Sequence, residues 1–483
     1  MELENPFQTF LVRPLVESFP NLELRGSLTS ETDFLLHNIN GEARSRGFDF
    51  RGDNPTISRS EQIFELKYKY HLAKGMSLGG QLDFLYEASF ALDGGADRRP
   101  RKAQNNFEYF RSFKRWFREF FLEVHRGNWD FVVGKQQLVW GRIDTVRMMD
   151  QIQPRDIREF HDDATDDWEF TRQPTWMAVV RYWPLGETLG LEFLFKPDFE
   201  PDYVAPAGWL QSMRTIYPLP RSVRILDIDR PEDTDPSDWE YGFLTTLLIG
   251  SWDMGLSYYY AWDKSPTSFT RRITGSPGRP LSLVEQKHTR LHKLGSYVNF
   301  SPSIGGKEWT FRWESVLDVN KYLPTRAESR SRTNAFRRTG RDTLSGYDGV
   351  TKRNQLQFSL NADTALNIAR TTDWSLTLQY LGTYTFGHDN DLFGRSSGAI
   401  EKWWHAASWS ISKPFSGRRG MFSTGLTWIH DGNFGSRTKV SWDLTDYLTL
   451  SAAVRWFSGK DDDTYGVLEE IGDEIETEIS YSF

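Results

Sequence analysis

The sequence predicts an all-β fold: a transmembrane antiparallel up-and-down β-barrel of about 18 strands (16–18), with short periplasmic turns and long extracellular loops. Three observations predict it. Apolar and polar side chains alternate strictly over long segments, connections between those segments alternate short and long, and no apolar run is long enough for a membrane helix.

The alternation is plain in "WSLTLQYLGTYTF", where Trp374, Leu376, Leu378, Tyr380, Tyr384 and Phe386 oppose Ser375, Thr377, Gln379, Thr383 and Thr385. "FELKYKYHL", "WTFRWESVLDV", "YLTLSAAVRWF" and the closing "EIETEISYSF" repeat the pattern. A period of two is a strand signal, and these segments exceed the usual strand length of about five or six residues. In chain order the segments fall near 22–36, 61–73, 76–90, 115–126, 128–138, 172–183, 188–196, 239–250 and 251–262. They continue near 287–302, 308–320, 352–361, 373–386, 402–413, 420–430, 433–444, 447–458 and 472–483.

The connections give the topology. "KGM", "RGN", "PLGE", "GSW", "SIGG", "FSGR" and "TD" are short, whereas 37–60, 91–114, 139–171, 197–238, 263–286, 321–351 and 387–401 are long. Strands that shuttle across a slab, with tight turns on one side and free loops on the other, give this two-beat rhythm. A propeller would repeat about every 40–50 residues, and the chain has no such repeat. Residues 21–483 read as a single barrel domain, and residues 1–20 as a periplasmic segment forming a short helix or plug.

Composition agrees. Mean hydropathy is −0.57, as expected where only alternate strand residues face lipid. With 19 Trp, 19 Tyr and 34 Phe the chain has ample side chains for the two headgroup levels, and Trp129, Trp183, Trp309, Trp374 and Trp403 sit near turns. The net charge of −8 gives no sign of a nucleic-acid partner. Absence of cysteine excludes thiolate metal sites, disulfides, attached haem and cysteine nucleophiles, and no cofactor is expected. The start "MELENPFQTF" lacks a basic stretch followed by an apolar core, so it reads as a mature outer-membrane form with an added Met1.

The candidate chemistry lies on the inner wall and in one loop. Lys67, Lys69, His71, Glu123, His125, Arg312, Glu314, Asp318 and Arg455 fall on the polar face of their strands and are the lumen-lining candidates, as are Glu474, Glu476 and Glu478. The outer loops carry basic clusters, Arg98 to Arg118 and Arg326 to Arg341, with Lys264, Arg271 and Arg272 between them. These suit either focusing of anionic solutes or pairing with lipopolysaccharide phosphates. His125 and His161 near carboxylates are the only candidate bases, and no nucleophile motif accompanies them, so no catalysis is expected. The run Asp162, Asp163, Asp166 and Asp167 lacks the glycine of a calcium loop, and no metal site is assigned.

The most distinctive stretch runs from 132 to 163. Its Gly134, Lys135 and Gln136, then Trp140 and Gly141, then Pro154 and Asp156, resemble the signature of a family of uncharacterised bacterial outer-membrane β-barrel proteins. These are similar to alginate-export-type porins and often accompany transport genes for hydrophobic compounds. Gln153 departs from the pattern, which would place Asn before the proline. The resemblance implies that this loop folds inward and narrows the pore, with Arg142, Asp144, Arg147, Asp150, Arg155, Asp156 and Arg158 as a constriction of both signs. It also implies that the terminal Phe483 is read by the barrel-assembly machinery.

The expected function is an outer-membrane porin that passes small or elongated solutes, anionic or amphipathic ones among them, by passive diffusion through a loop-constricted lumen. The alternative is a scaffold barrel that houses or docks a periplasmic carrier, a lipoprotein or a multihaem cytochrome in a trans-envelope complex.

Overall fold

The computed structural model describes residues 7–36, 56–92, 116–143, 148–157, 171–204, 221–368, 371–393, 399–459, 468–469 and 473–483. Eighteen long strands form one closed antiparallel sheet, in which a two-residue strand, Ser303–Ile304, only extends a turn. The strands are β1 (Leu22–Leu35), β2 (Ile57–Ala73), β3 (Met76–Glu87), β4 (Phe117–Arg126), β5 (Trp129–Gln136) and β6 (Thr175–Tyr182). Next come β7 (Leu189–Lys196), β8 (Glu240–Ile249), β9 (Trp252–Trp262), β10 (Arg290–Phe300), β11 (Lys307–Pro324) and β12 (Val350–Ile368). The last six are β13 (Thr371–Thr385), β14 (Trp403–Phe415), β15 (Gly420–Ile429), β16 (Phe434–Asp443), β17 (Leu448–Ser458) and β18 (Glu474–Ser482).

Each strand pairs with its sequence neighbours, and β18 returns to β1 in a register running from Ser27 opposite Ser482 to Leu35 opposite Glu474. The backbone of Phe483 completes the seam, its N–H and C=O each bonded to Gly26 at 2.9 Å. A closed sheet leaves no unpaired edge, so every strand can lie in hydrocarbon with its backbone satisfied.

Side chains sort by parity as the sequence requires. On β18, Ile475 and Ile479 are exposed on the outside while Glu474 and Glu476 are buried within. Leu256, Leu294, Trp409, Val440, Val454 and Trp456 continue the apolar exterior around the wall. Aromatic pairs mark one membrane level near the short turns: Trp129 on Tyr182 at 4.3 Å, Trp252 on Phe300 at 4.0 Å and Phe415 beside Trp442 at 5.3 Å. Trp183 corrects the expectation for its class. It points inward, its indole N–H donating to Asp130 at 3.2 Å and its ring lying on the inward Gly190.

All eighteen expected segments are strands, and the differences lie at their ends and beyond them. Two adjoining strands run several residues further than their alternation shows: β11 continues outward to Pro324, opposite Val350, and β12 continues towards the short turn to Ile368, opposite Thr371. On the long-loop side the connection from Ile429 to Phe434 is short, an exception to the rhythm. The stretch 197–286, expected to hold only loops outside β8 and β9, contains a small outer sheet: Thr267–Ser276 and Arg279–Lys287 form a hairpin, and Val223–Asp229 adds in parallel. The loop after β11 contains a helix, Arg326–Thr339, ended by Gly340 in the left-handed conformation. In the N-terminal segment, residues 7–18 form a short helix. It lies against the outside of the seam, where the Phe7 ring stacks on Phe483 at 5.1 Å.

Inside the wall near the seam runs a ladder of ion pairs. Arg437 and Arg455 both contact Glu476, the latter at 2.7 Å, and Arg59 meets Asp33 at 2.7 Å and also Glu31. Arg455, Glu476 and Asp33 are buried, so each charge depends on its partners rather than on water. Replacement of Arg455 by Met (R455M) is expected to cost about 3–5 kcal/mol, because it strands buried carboxylates. The midpoint of urea unfolding in detergent, read from the gel shift between folded and heated barrel, measures it.

Candidate functional site: a loop folded against the inner wall

The segment after β5 turns inward. Gly134 has φ +143°, and a Cβ there would stand 2.6 Å from the Phe121 Cα, so only glycine lets β5 bend towards the lumen. Gly141 has φ +146° and lies against the Glu314 carboxylate, where a Cβ would come within 3.1 Å of an oxygen. Between these glycines Trp140 is buried. Its indole donates to Glu192 on β7, its ring lies edge-on to Tyr259 at 6.0 Å, and its far end fills the space left by Gly242.

The anchoring atom group is the Glu314 carboxylate on β11. It accepts the backbone N–H of Arg142, of Ile143 at 2.8 Å and of Met149 at 3.2 Å. Since β11 stands six strands round the wall from β5, the loop reaches along the inside of that whole sector. Leu138, Trp140, Met149 and Ile152 pack there with Met177, Val179, Leu194, Leu244, Tyr297 and Val316, an apolar core inside an otherwise polar barrel.

Of the constriction candidates, Arg142 pairs with Asp253 at 3.3 Å and lies over the Tyr297 ring at 5.5 Å, with 52% of its side chain still exposed. Asp150 is buried against Arg172 at 2.5 Å, and Arg155 contacts Asp202 at 3.8 Å. Asp156 is also buried, and Pro154 beside it is covered. Gln136, from the same motif, donates to the carbonyls of Val132 and Met177 at 3.2 and 3.3 Å. Asp144, Arg147 and Arg158 lie outside the described residues, as do His161, Asp162, Asp163, Asp166 and Asp167. The loop therefore buries the acids described and leaves Arg142 half open. Burial acts to lower the Arg142 pKa, but Tyr297, then Asp253 and Glu314, hold its guanidinium above the ordinary range.

The lumen-lining candidates divide by height. Near the short turns Lys67, Lys69, His71 and His125 remain largely open, paired with Glu65 at 3.3 Å, Glu123 at 2.8 Å, Glu23 at 2.8 Å and Asp130 at 2.6 Å. Farther out the wall closes: side-chain exposure along β18 falls from 26% at Glu478 to 4% at Glu476 and 0% at Glu474. Arg312 pairs with Asp363 and keeps part of its surface. Glu314, Asp318 and Arg455 face inward but are covered, which corrects their assignment to an open lining. Asp318 is held by Lys293 at 2.8 Å and Lys321 at 3.5 Å, and the same Lys293 reaches Gln151 of the loop at 2.6 Å.

Sequence reading missed Glu192, Asp253, Lys293 and Tyr297, all of which hold the loop. Their available signal was the inward glycines: Gly242 and Gly295 interrupt the polar face where Trp140 and Met149 need room.

The outer basic clusters are less free than their composition implies. Arg332 is fully buried and donates to Asp342, twice at 2.9 Å, and to the carbonyls of Thr270, Tyr347 and Arg271 at 2.6, 2.9 and 2.8 Å. It fastens the loop helix to the outer hairpin. Lys264 is buried on Glu240 at 2.7 Å, Arg271 pairs with Glu285, and Arg118 meets Asp83 at 3.4 Å. Arg98, Arg99, Arg101, Lys102, Arg111, Lys114 and Arg115 lie outside the described residues.

Two expectations follow for the loops. Glu314→Ala removes the acceptor of three amides, each costing about 1–3 kcal/mol when left buried and unpaired. Hydrogen exchange at Arg142, Ile143 and Met149 should therefore rise while the strands stay protected. The Arg332 guanidinium holds the Asp342 carboxyl below its usual range, so its contribution is present above the unfolded value of 3.8 and lost as pH falls through the lower folded value. Exchange in Arg326–Thr339 should then quicken only in strong acid for the native chain, and at every pH for Arg332→Met.

No curated protein matches the chain. Among solved structures, a BenF-like porin from Pseudomonas fluorescens Pf-5 aligns at 8% identity over 96% of this chain and 98% of that one, with a TM-score of 0.49. Pseudomonas aeruginosa OpdK with vanillate aligns at 9% identity over 96% and 99%, TM-score 0.46. Pseudomonas aeruginosa OccK2 (OpdF) in complex with glucuronate aligns at 10% identity over 96% and 98%, TM-score 0.46. The family match carries no alginate-export specificity, so that part of the resemblance is not supported. Over residues 19–483 the chain matches, and belongs to, the family DUF1302, described as a protein of unknown function.

Proposed function

We propose that the protein is a passive outer-membrane channel whose lumen is narrowed by the inward loop, and that it favours small anionic solutes. The observation that carries this reading is the loop held across six strands by Glu314, with Arg142 half open beside it and Asp150 and Asp156 buried. Cations in a narrow, low-dielectric passage attract anions and repel cations more strongly than they would in bulk water. The exposed Lys67 and Lys69 nearer the short turns extend the positive path.

The charged rim at the short-turn side favours a second reading. Glu23, His71 and His125 remain open there, a surface on which a periplasmic carrier or another envelope subunit would dock. Co-purification of a stoichiometric partner in mild detergent supports that reading; a lone conducting barrel supports the first.

In planar bilayers the purified protein should conduct, and a salt gradient should give a reversal potential of the sign for anion preference. Arg142→Glu is expected to move that potential towards cation preference. Glu314→Ala should raise single-channel conductance by releasing the loop from the wall. A barrel that stays closed in all three forms would count against the channel.

A further inference from the structure

We propose that residues 7–18 are a membrane anchor, a short helix lying in the periplasmic lipid interface and covering the closing seam from outside. The proposal rests on the membrane-barrel reading and adds a lipid contact to it.

The helix sits on the lipid side of the wall. Gly26 shares parity with the outward Leu28, and the Phe483 ring lies over it. Phe7 stacks on that ring at 5.1 Å and approaches Tyr481 at 6.0 Å. Phe483 in turn stacks on Phe64 at 6.2 Å, which neighbours Phe84 at 5.9 Å. The helix thus joins an aromatic row that is continuous with the apolar exterior of β1, β2 and β3. Its level is the end of the barrel at the short turns, since Gly26 is near the start of β1 and Phe483 follows the end of β18.

Its sequence fits an interface rather than water or a lumen. Seven of residues 7–18 are apolar, and Arg13 and Glu17 are the two charged ones. Val12 is buried on the barrel side, while Phe10 is 82% exposed and Leu15 and Phe19 are also open. A short, mostly apolar helix that leaves large apolar side chains exposed and carries two charges fits a place in the headgroup and acyl boundary. Phe10 is largely uncovered and Leu15 partly so, and in the membrane-barrel reading the neighbouring wall is in contact with lipid. The same lipid then covers the helix.

Absence of native cysteine makes single-site labelling clean. Phe10→Cys, Arg13→Cys and Leu256→Cys would each carry an environment-sensitive fluorophore in vesicles of phosphatidylethanolamine and phosphatidylglycerol, after the heat-dependent gel shift confirms folding. Leu256 is an exterior residue of β9, 68% exposed, and reports the membrane-barrel reading by itself. The expected result is strong quenching of positions 10 and 256 by nitroxide-bearing lipids, with position 13 several-fold more sensitive to aqueous iodide. Iodide quenching at position 10 equal to that at 13 would overturn the anchor, and so would protection of position 10 from both quenchers, which would bury it in protein. Loss of lipid quenching at 256 would instead overturn the barrel reading and the anchor with it.

Discussion

Hydrocarbon offers no hydrogen bonds, so a chain that crosses it must satisfy its own backbone. Everything else in this molecule follows from the way that demand is met. Eighteen strands pair in sequence order, and the pairing of β18 with β1 removes the last edge. Once the sheet is closed, parity assigns each strand residue to lipid or to the interior, and a chain of low mean hydropathy can still present an apolar outside.

The interior then takes on the inverse problem. Polar side chains that would be solvated in a wide pore are here largely covered towards the outer half, where burial must be balanced by pairing. The seam ladder of Arg437, Glu476, Arg455, Arg59 and Asp33 does this with alternating signs. On the opposite arc the solution differs: the inward loop brings Trp140, Met149 and Ile152 onto an apolar patch of wall, and Glu314 satisfies the loop's own backbone. One arc is ionic and the other is packed like a small protein core.

The outer cap shows how composition and role diverge. A run of arginines suggests an electrostatic collector, yet Arg332 spends all its hydrogen-bonding capacity inside the cap, holding a helix to a hairpin. Burial withdraws Arg332 from solvent, whereas Arg330, Arg337, Arg338 and Arg341 beside it stay exposed.

Strand number, order and facing were determined by the sequence, because a period of two with a lipid-exposed face is a local signal repeated in every segment from Leu22 to Phe483. The inward loop was expected only through the family resemblance that Gly134, Trp140 and Gly141 carry, and the structure gives these residues their roles at a bend and a buried anchor. What held the loop was not legible: Glu314 lies some 170 positions from Arg142 in the chain, and only barrel closure brings it to the loop's amides. The outer hairpin, the helix around Arg332 and the seat of Phe7 on Phe483 likewise depend on contacts between distant segments. Alternation is a property of neighbours along the chain, and so it shows in the sequence. Burial of a charge or a ring is a property of neighbours in space, and only the folded wall decides it.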